Sequence, residues 1–310
     1  MINVENNKYK NIKLLKEFTK NDDCIVYLLR LKNGNLITCS QDKEINIYEK
    51  NSFNLLLSWT GHLNSINCIC ELKDSRLASC SDDKRISIWQ IDLENKKVTQ
   101  EIIFMAHTSF INKIITLTDD NIASCSEDNN IYIWNTQPPY NKKCSLIGHK
   151  SEVTSIIQLK NEKIISTCGN KESGIMKIWT LDNKNEKIIG LESIMNVFCY
   201  CMNSLVEIED NKVAVGGYKF IRIVNIHKKE IEAKIECHNC LISSIAVLND
   251  GCIVSASEEG NINIINNIFY DNLSTIEFAH DMIIFSLCTL DENSFGSSSK
   301  DGVIKIWTYK

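Results

Sequence analysis

Apolar residues recur at every second position in short runs, each run interrupted by a polar, turn-forming break. Ile86 and Ile88, Ile131 and Ile133, and Ile304 and Ile306 are three examples. A period of two marks a half-buried β-strand, whereas a helix places its apolar stripe at about every 3.6 residues. Seven stretches follow one template. LITCSQDKEINIY ends at Tyr48, LASCSDDKRISIW at Trp89, IASCSEDNNIYIW at Trp134 and ISTCGNKESGIMKIW at Trp179. VAVGGYKFIRIV ends at Val224, IVSASEEGNINII at Ile265 and FGSSSKDGVIKIW at Trp307. Each predicts a hairpin of two strands around a tight turn. The stretch ends are 41, 45, 45, 45, 41 and 42 residues apart, which is the period of a four-stranded propeller blade. The predicted class is all-β: one seven-bladed propeller of four-stranded antiparallel blades over residues 1–310.

A second anchor lies upstream in five repeats: TGH at His62, MAH at His107, IGH at His149, ECH at His238 and FAH at His280. In four of them the acidic turn residue follows 21 residues later, at Asp83, Asp128, Glu259 and Asp301, and the strand end follows after 27. These residues resemble the WD40-repeat family, over residues from about 9 to 310. The resemblance implies a buried hydrogen-bond relay of His, strand Ser, turn Asp and closing Trp. The matching sets are His62, Ser79, Asp83 and Trp89; His107, Ser124, Asp128 and Trp134; and His280, Ser297, Asp301 and Trp307. Such a relay has a physical basis, because a buried imidazole and carboxylate must satisfy each other's polar atoms.

Other repeats depart from the pattern. Tyr48, Val224 and Ile265 replace the Trp, repeat five lacks the His and Asp, and Gln90, Asn135, Thr180 or Thr308 follows each Trp instead of Asp. The Trp-Asp-x-Arg signature by which some relatives dock on a cullin adaptor is therefore absent. The last repeat reaches Trp307, and the missing outer strand of repeat seven is expected from residues 9–18, YKNIKLLKEF. That strand would close the ring and remove an exposed sheet edge.

Composition narrows the function classes. The chain carries 34 Lys and Arg against 39 Asp and Glu, a net charge of -5, which disfavours non-specific nucleic-acid or anionic-membrane binding. Only four of the basic residues are arginine, and the wealth of Asn, Ile and Lys reflects genome bias rather than function. No apolar run reaches the roughly 18 residues of a membrane span, and the start MINVENNKYK lacks signal-peptide character. A cytoplasmic protein is expected, with the nucleus as an alternative. The 14 cysteines are expected to be free thiols. Cys39, Cys80, Cys125 and Cys168 read as one small-residue packing position in four successive repeats.

Candidate chemistry is sparse. Cys237-His238-Asn239-Cys240 is a CxxC without a second pair, so no metal is expected, nor any cofactor. Five of six histidines sit at the repeat position, and no GxxxxGK, GxSxG or HExxH occurs, so no enzyme is expected. What remains is a surface. In the family, the loops entering the inner strands and the hairpin turns share one face, the usual site for peptides. Three residues after each repeat His stand Ser65, Phe110, Glu152, Leu241 and Ile283; Tyr200 and Met282 lie nearby. Just before the turn carboxylate stand Asp82, Glu127 and Glu258. The expected partner is a protein or peptide with basic and apolar residues, bound by a monomeric ring within a hetero-complex. The expected role is a non-enzymatic interaction scaffold; the alternative is a substrate receptor of a ubiquitin ligase or other modifying enzyme.

Overall fold

The computed structural model describes residues 5–19, 23–169, 174–182, 187–196 and 204–309. The chain separates into two compact units, Leu31–Met202 and Met1–Arg30 with Asn203–Lys310. Strands fill both, joined by tight turns and accompanied by one 3-10 helix, Glu5–Asn11. Among the described residues no helix is long and apolar enough to cross a membrane.

In the unit Leu31–Met202, repeats two, three and four each form a four-stranded antiparallel blade whose strands pair in chain order. Repeat two is Ile66–Glu71, Leu77–Ser81, Arg85–Asp92 and Lys97–Met105. Repeat three is Ile111–Thr116, Ile122–Ser126, Ile131–Trp134 and Lys142–Leu146. Repeat four is Val153–Gln158, Ile164–Gly169, Gly174–Asp182 and Lys187–Asn196. Repeat one supplies Leu36–Ser40, Glu44–Tyr48 and Leu55–Thr60. The second strand of each blade is buried on both faces, which explains its compact residues: Leu77–Ser81 (LASCS) and Ile122–Ser126 (IASCS) are buried throughout. The inner strands of repeats two, three and four lie side by side. Polar side chains stitch them together. Asn67 Nδ2 donates to the Ile111 carbonyl at 3.0 Å and Asn112 Nδ2 to the Val153 carbonyl at 2.9 Å.

In the other unit, repeat seven is a four-stranded sheet in which Lys13–Thr19 runs antiparallel to Val303–Thr308, followed by Ser294–Ser299 and Ile284–Asp291. The expected strand over 9–18 thus begins at Lys13. Tyr9 belongs to the 3-10 helix instead, where its ring is buried 5.1 Å from that of Tyr309 and its hydroxyl bonds to Asp250. Repeats five and six depart from the expected separate blades. They share one seven-stranded sheet, because a single strand, Glu230–Val247, serves as the last strand of one and the first of the other. Within it Glu230–Glu236 pair with Phe220–Asn225 and Ile242–Val247 pair with Ile253–Ser257, and the register shifts between the two parts, where Tyr218 meets Leu241 but Phe220 meets Glu236.

One alignment is corrected. The relay serine of repeat four is Ser166, so Thr167 faces Ser155 and Met176, the place that Cys125 takes between Lys113 and Ile131. Cys168 sits one residue further on and, by strand alternation, on the opposite face. The described cysteines are all free thiols.

Candidate functional site

The turn carboxylates Asp83, Asp128 and Asp301 each do two jobs. In repeat three, Asp128 Oδ1 accepts from the Asn130 amide at 3.0 Å, closing the hairpin turn, while Asn129 takes a positive φ of 69°. Asp128 Oδ2 receives His107 Nδ1 at 2.9 Å and the Thr108 amide at 3.0 Å. On the other side of the ring, His107 Nε2 meets Ser124 Oγ at 2.8 Å, and Trp134 Nε1 donates to the same hydroxyl at 2.9 Å. Repeat two has the same chain: Asp83 to His62 at 3.0 Å, His62 to Ser79 at 2.8 Å, Trp89 to Ser79 at 2.8 Å. Repeat seven matches with Asp301, His280, Ser297 and Trp307, at 3.0, 2.7 and 2.9 Å.

The proton directions follow from the inventory. An ionised carboxylate only accepts, so the His Nδ1–H donates to it; the lone pair is then on Nε2 and takes the Ser O–H, and Ser accepts from the indole. Charge supports this direction. Burial pushes the Asp128 carboxyl up, but the Thr108 amide, the His107 ring and the Asn130 amide outweigh it, leaving the group below the ordinary carboxylate value. Burial lowers the His107 ring despite Asp128, which keeps it neutral. A neutral ring bound at both nitrogens is a brace, and its nitrogens are occupied.

The same turns build the surface. The residue three after the repeat His and the residue before the turn carboxylate are joined by backbone bonds. Asp82 N donates to the Ser65 carbonyl at 3.0 Å, Glu127 N to Phe110 at 3.0 Å and Glu258 N to Leu241 at 3.1 Å. Repeat seven has the same link, but from Lys300 to Ile283, so a base stands there in place of an acid. In the unit Leu31–Met202, Phe110 is 39% exposed, and its carbonyl also accepts from Ser126 Oγ at 2.7 Å. Asp82 is half-buried, with its carboxylate held by Asn67 Nδ2 at 2.6 Å. Glu127 is half-buried, Glu152 exposed. Burial, then Glu152 and Asp82, raise the Glu127 carboxyl against the opposing Ser109 hydroxyl. Glu127, bonded through its backbone to Phe110, therefore feels the charges of Glu152 and Asp82 from the neighbouring repeats.

In the unit containing 203–310, Glu258 and Met282 are exposed, while Leu241 and Ile283 are half-buried. Tyr200 lies outside the described residues. Among the described residues no three His, Cys, Asp or Glu side chains are placed to hold a metal ion. Reading the residues in order did not find Asn67 and Asn112; their five-residue offset from His62 and His107 is a regularity that only strand register makes meaningful.

The family described as WD domain, G-beta repeat matches residues 53–90 and 98–135. WD repeat-containing protein 90 of Xenopus tropicalis is 31% identical over 114 residues, covering 34% of this chain and 6% of that protein. WD repeat-containing protein 90 of Mus musculus is 27% identical over 119 residues, covering 36% of this chain and 6% of that protein. The matched stretch is thus a small part of the curated relatives.

Proposed function

The chain belongs to the WD40-repeat family, whose propellers serve broadly as protein-interaction scaffolds, and from that premise we propose that it is a non-enzymatic interaction module. The seven repeats are read as one ring over residues 1–310, with Lys13–Thr19 as the outer strand of repeat seven. A single cooperative unfolding transition, seen alike by far-ultraviolet and tryptophan signals, is expected of it.

The proposed ligand is a protein segment carrying a Lys or Arg beside a large apolar residue, bound around Phe110. The observation that carries this reading is an exposed aromatic side chain on a backbone held by two bonds to its carbonyl, one of them from Glu127, which feels Asp82 and Glu152 from the repeats on either side. A rigid aromatic is an economical anchor, and mutually repelling carboxylates gain when a cation arrives between them. Leu241, Glu258, Met282 and Ile283 hold the corresponding positions in repeats six and seven.

The test is affinity purification from the native cell with quantitative mass spectrometry, comparing wild type with Phe110→Ala/Glu127→Lys. Loss of one stoichiometric partner is expected. An unchanged partner set from a folded variant overturns the reading.

A further inference from the structure

The net negative charge of this protein comes from one stretch. Residues 235–299, in repeats six and seven, contain nine Asp and Glu and no Lys or Arg; the rest of the chain holds all 34 basic side chains against 30 acids. All nine acids are exposed, and among the described residues only Asp250 has a cationic partner, Lys8. Four of the others lie on two segments that are bonded to each other. The turn Glu258-Glu259-Gly260 is bonded to the segment before the last inner strand: His280 N donates to the Gly260 carbonyl at 3.1 Å and Phe278 N to Asn261 Oδ1 at 2.9 Å.

Gly260 permits that approach. Its φ is +78°, and a Cβ there would come within 2.1 Å of the His280 carbonyl oxygen. Glu258 and Glu259 on the turn thus lie beside Glu277 and Asp281 on the segment. The same segment presents Phe278, 78% exposed, and Met282, 43% exposed, next to these acids in the chain, while Ala279 and His280 are buried. The nearest basic residues along the chain bound the stretch at Lys234, whose ammonium lies over the Phe220 ring, and at Lys300 in the turn of repeat seven.

We propose that Phe278 and Met282, framed by Glu258, Glu259, Glu277 and Asp281, form a docking surface for a lysine- or arginine-rich partner segment with large apolar anchors. The proposal rests on the reading of the chain as an interaction module but not on the Phe110 surface. The charge selects the partner. Phosphate-bearing polymers and anionic membranes are repelled, and the carboxylates do not converge closely enough to hold a metal ion. A flexible cationic side chain can reach each carboxylate separately, while the phenyl and thioether groups cover its apolar neighbours.

The probe is a synthetic peptide with lysines flanking two phenylalanines, titrated into the full chain by fluorescence anisotropy. Micromolar binding is expected, weakening at least about tenfold between low and high salt as screening grows. Phe278→Ser is expected to weaken it about tenfold, and Glu258→Lys/Glu259→Lys more than that with a flatter salt dependence. Phe110→Ala should leave it unchanged. All these positions are exposed, so unfolding midpoints should stay at the wild-type value, and Met282→Ser serves as a second variant.

Absence of binding overturns the proposal, as does equal binding of a peptide with serines in place of its phenylalanines. Loss in Phe110→Ala but not in Phe278→Ser also overturns it, and would leave the Phe110 reading standing. Partner loss upon Phe110→Ala/Glu127→Lys in cells reports only on that other surface.

Discussion

Repeats three and four hold the same ring in different company. Both keep the hydroxyl end of the relay: His149 Nε2 meets Ser166 Oγ at 2.6 Å and Trp179 Nε1 donates to it at 2.7 Å, as Ser124 does for His107 and Trp134. They differ at the other nitrogen. His107 Nδ1 has Asp128, whereas buried His149 Nδ1 has no hydrogen-bond partner among the described residues, and the buried Lys177 lies in the same repeat with its ammonium on the Gly148 carbonyl. Burial and then Lys177 push the His149 ring down to about 3. Repeat six is a third version, with His238 Nε2 on Ser255 at 2.9 Å, Asn263 beside the ring, and Glu259 exposed instead of engaged. Burial takes His238 down to about 4. The serine is therefore the fixed node of the relay, and the carboxylate is the replaceable part.

The largest expected effect is the acid sensitivity of the repeats without a carboxylate. His149 and His238 titrate lower in the folded chain than the unfolded value near 6.5, so the unfolded state binds protons first as pH falls. Their contribution is complete above about 6.5 and is lost on descending toward 4 and 3. Each ring should remove about 3 kcal/mol by pH 4, at roughly 1.4 kcal/mol for every pH step of one below the unfolded value. Urea midpoints between pH 7 and 4 measure it. His149→Gln should flatten the slope by about half, and an unchanged slope would show that these rings are not its source.

Next comes the node itself. Ser124→Ala leaves two buried groups, the His107 ring nitrogen and the Trp134 indole N–H, without their shared partner. A loss of about 3 kcal/mol is expected. Ser166→Ala should cost nearly the same, since that end of the relay is common to both repeats. A much smaller loss in repeat four would mean that its relay is already weakened by the orphaned Nδ1.

Asp128→Ala turns repeat three into an imitation of repeat four. It strips the acceptor from His107 Nδ1 and the cap from the Asn130 amide, for about 2 kcal/mol. Because Asp128 raises the His107 ring against burial, the ring should titrate lower still in the variant. Nuclear magnetic resonance titration of His107 reads this directly. A rise would contradict the assignment of Asp128 as the stabilising charge.

These contrasts also mark what the residue order discloses. Hairpins, turn acids and repeat histidines could be read because each rests on local spacing: a period of two, an Asx turn, and the 17 residues that separate His62 from Ser79, His107 from Ser124 and His149 from Ser166. Cys168 was misplaced because the repeat-four turn is longer, and matching TCG to SCS slid the strand by one residue. The shared strand Glu230–Val247 was hidden because the passage of the backbone from one ladder to the next, here across a register shift, leaves no mark on the hydrophobic pattern. Tyr9 falls outside the strand expected over 9–18 because what holds it, Asp250 and Tyr309, lies at the far end of the chain. For the surface, Phe110 and Glu127 stood out by position, but their pairing needed the register that joins the two turns.

The smallest expected effect distinguishes two repeats that are both complete. In repeat three the His107 ring stacks on Tyr132, with centroids 4.5 Å apart and planes 17° from parallel, and Lys142 lies 4.2 Å from the Tyr132 ring centroid. In repeat two the same position is Ser87, which accepts from Gln100 Nε2 at 3.3 Å. Tyr132→Ser thus converts one repeat into the other without touching the four relay residues. The loss of an aromatic contact and an exposed cation–π contact is worth about 1 kcal/mol, and the relay itself should survive. Unfolding midpoints give the first quantity, and the His107 titration gives the second. If the ring then loses its shielding and titrates near the ordinary histidine value, Tyr132, more than the strand around it, keeps His107 neutral. If the value stays low, the blade's own packing is sufficient, and the stacked tyrosine adds only stability.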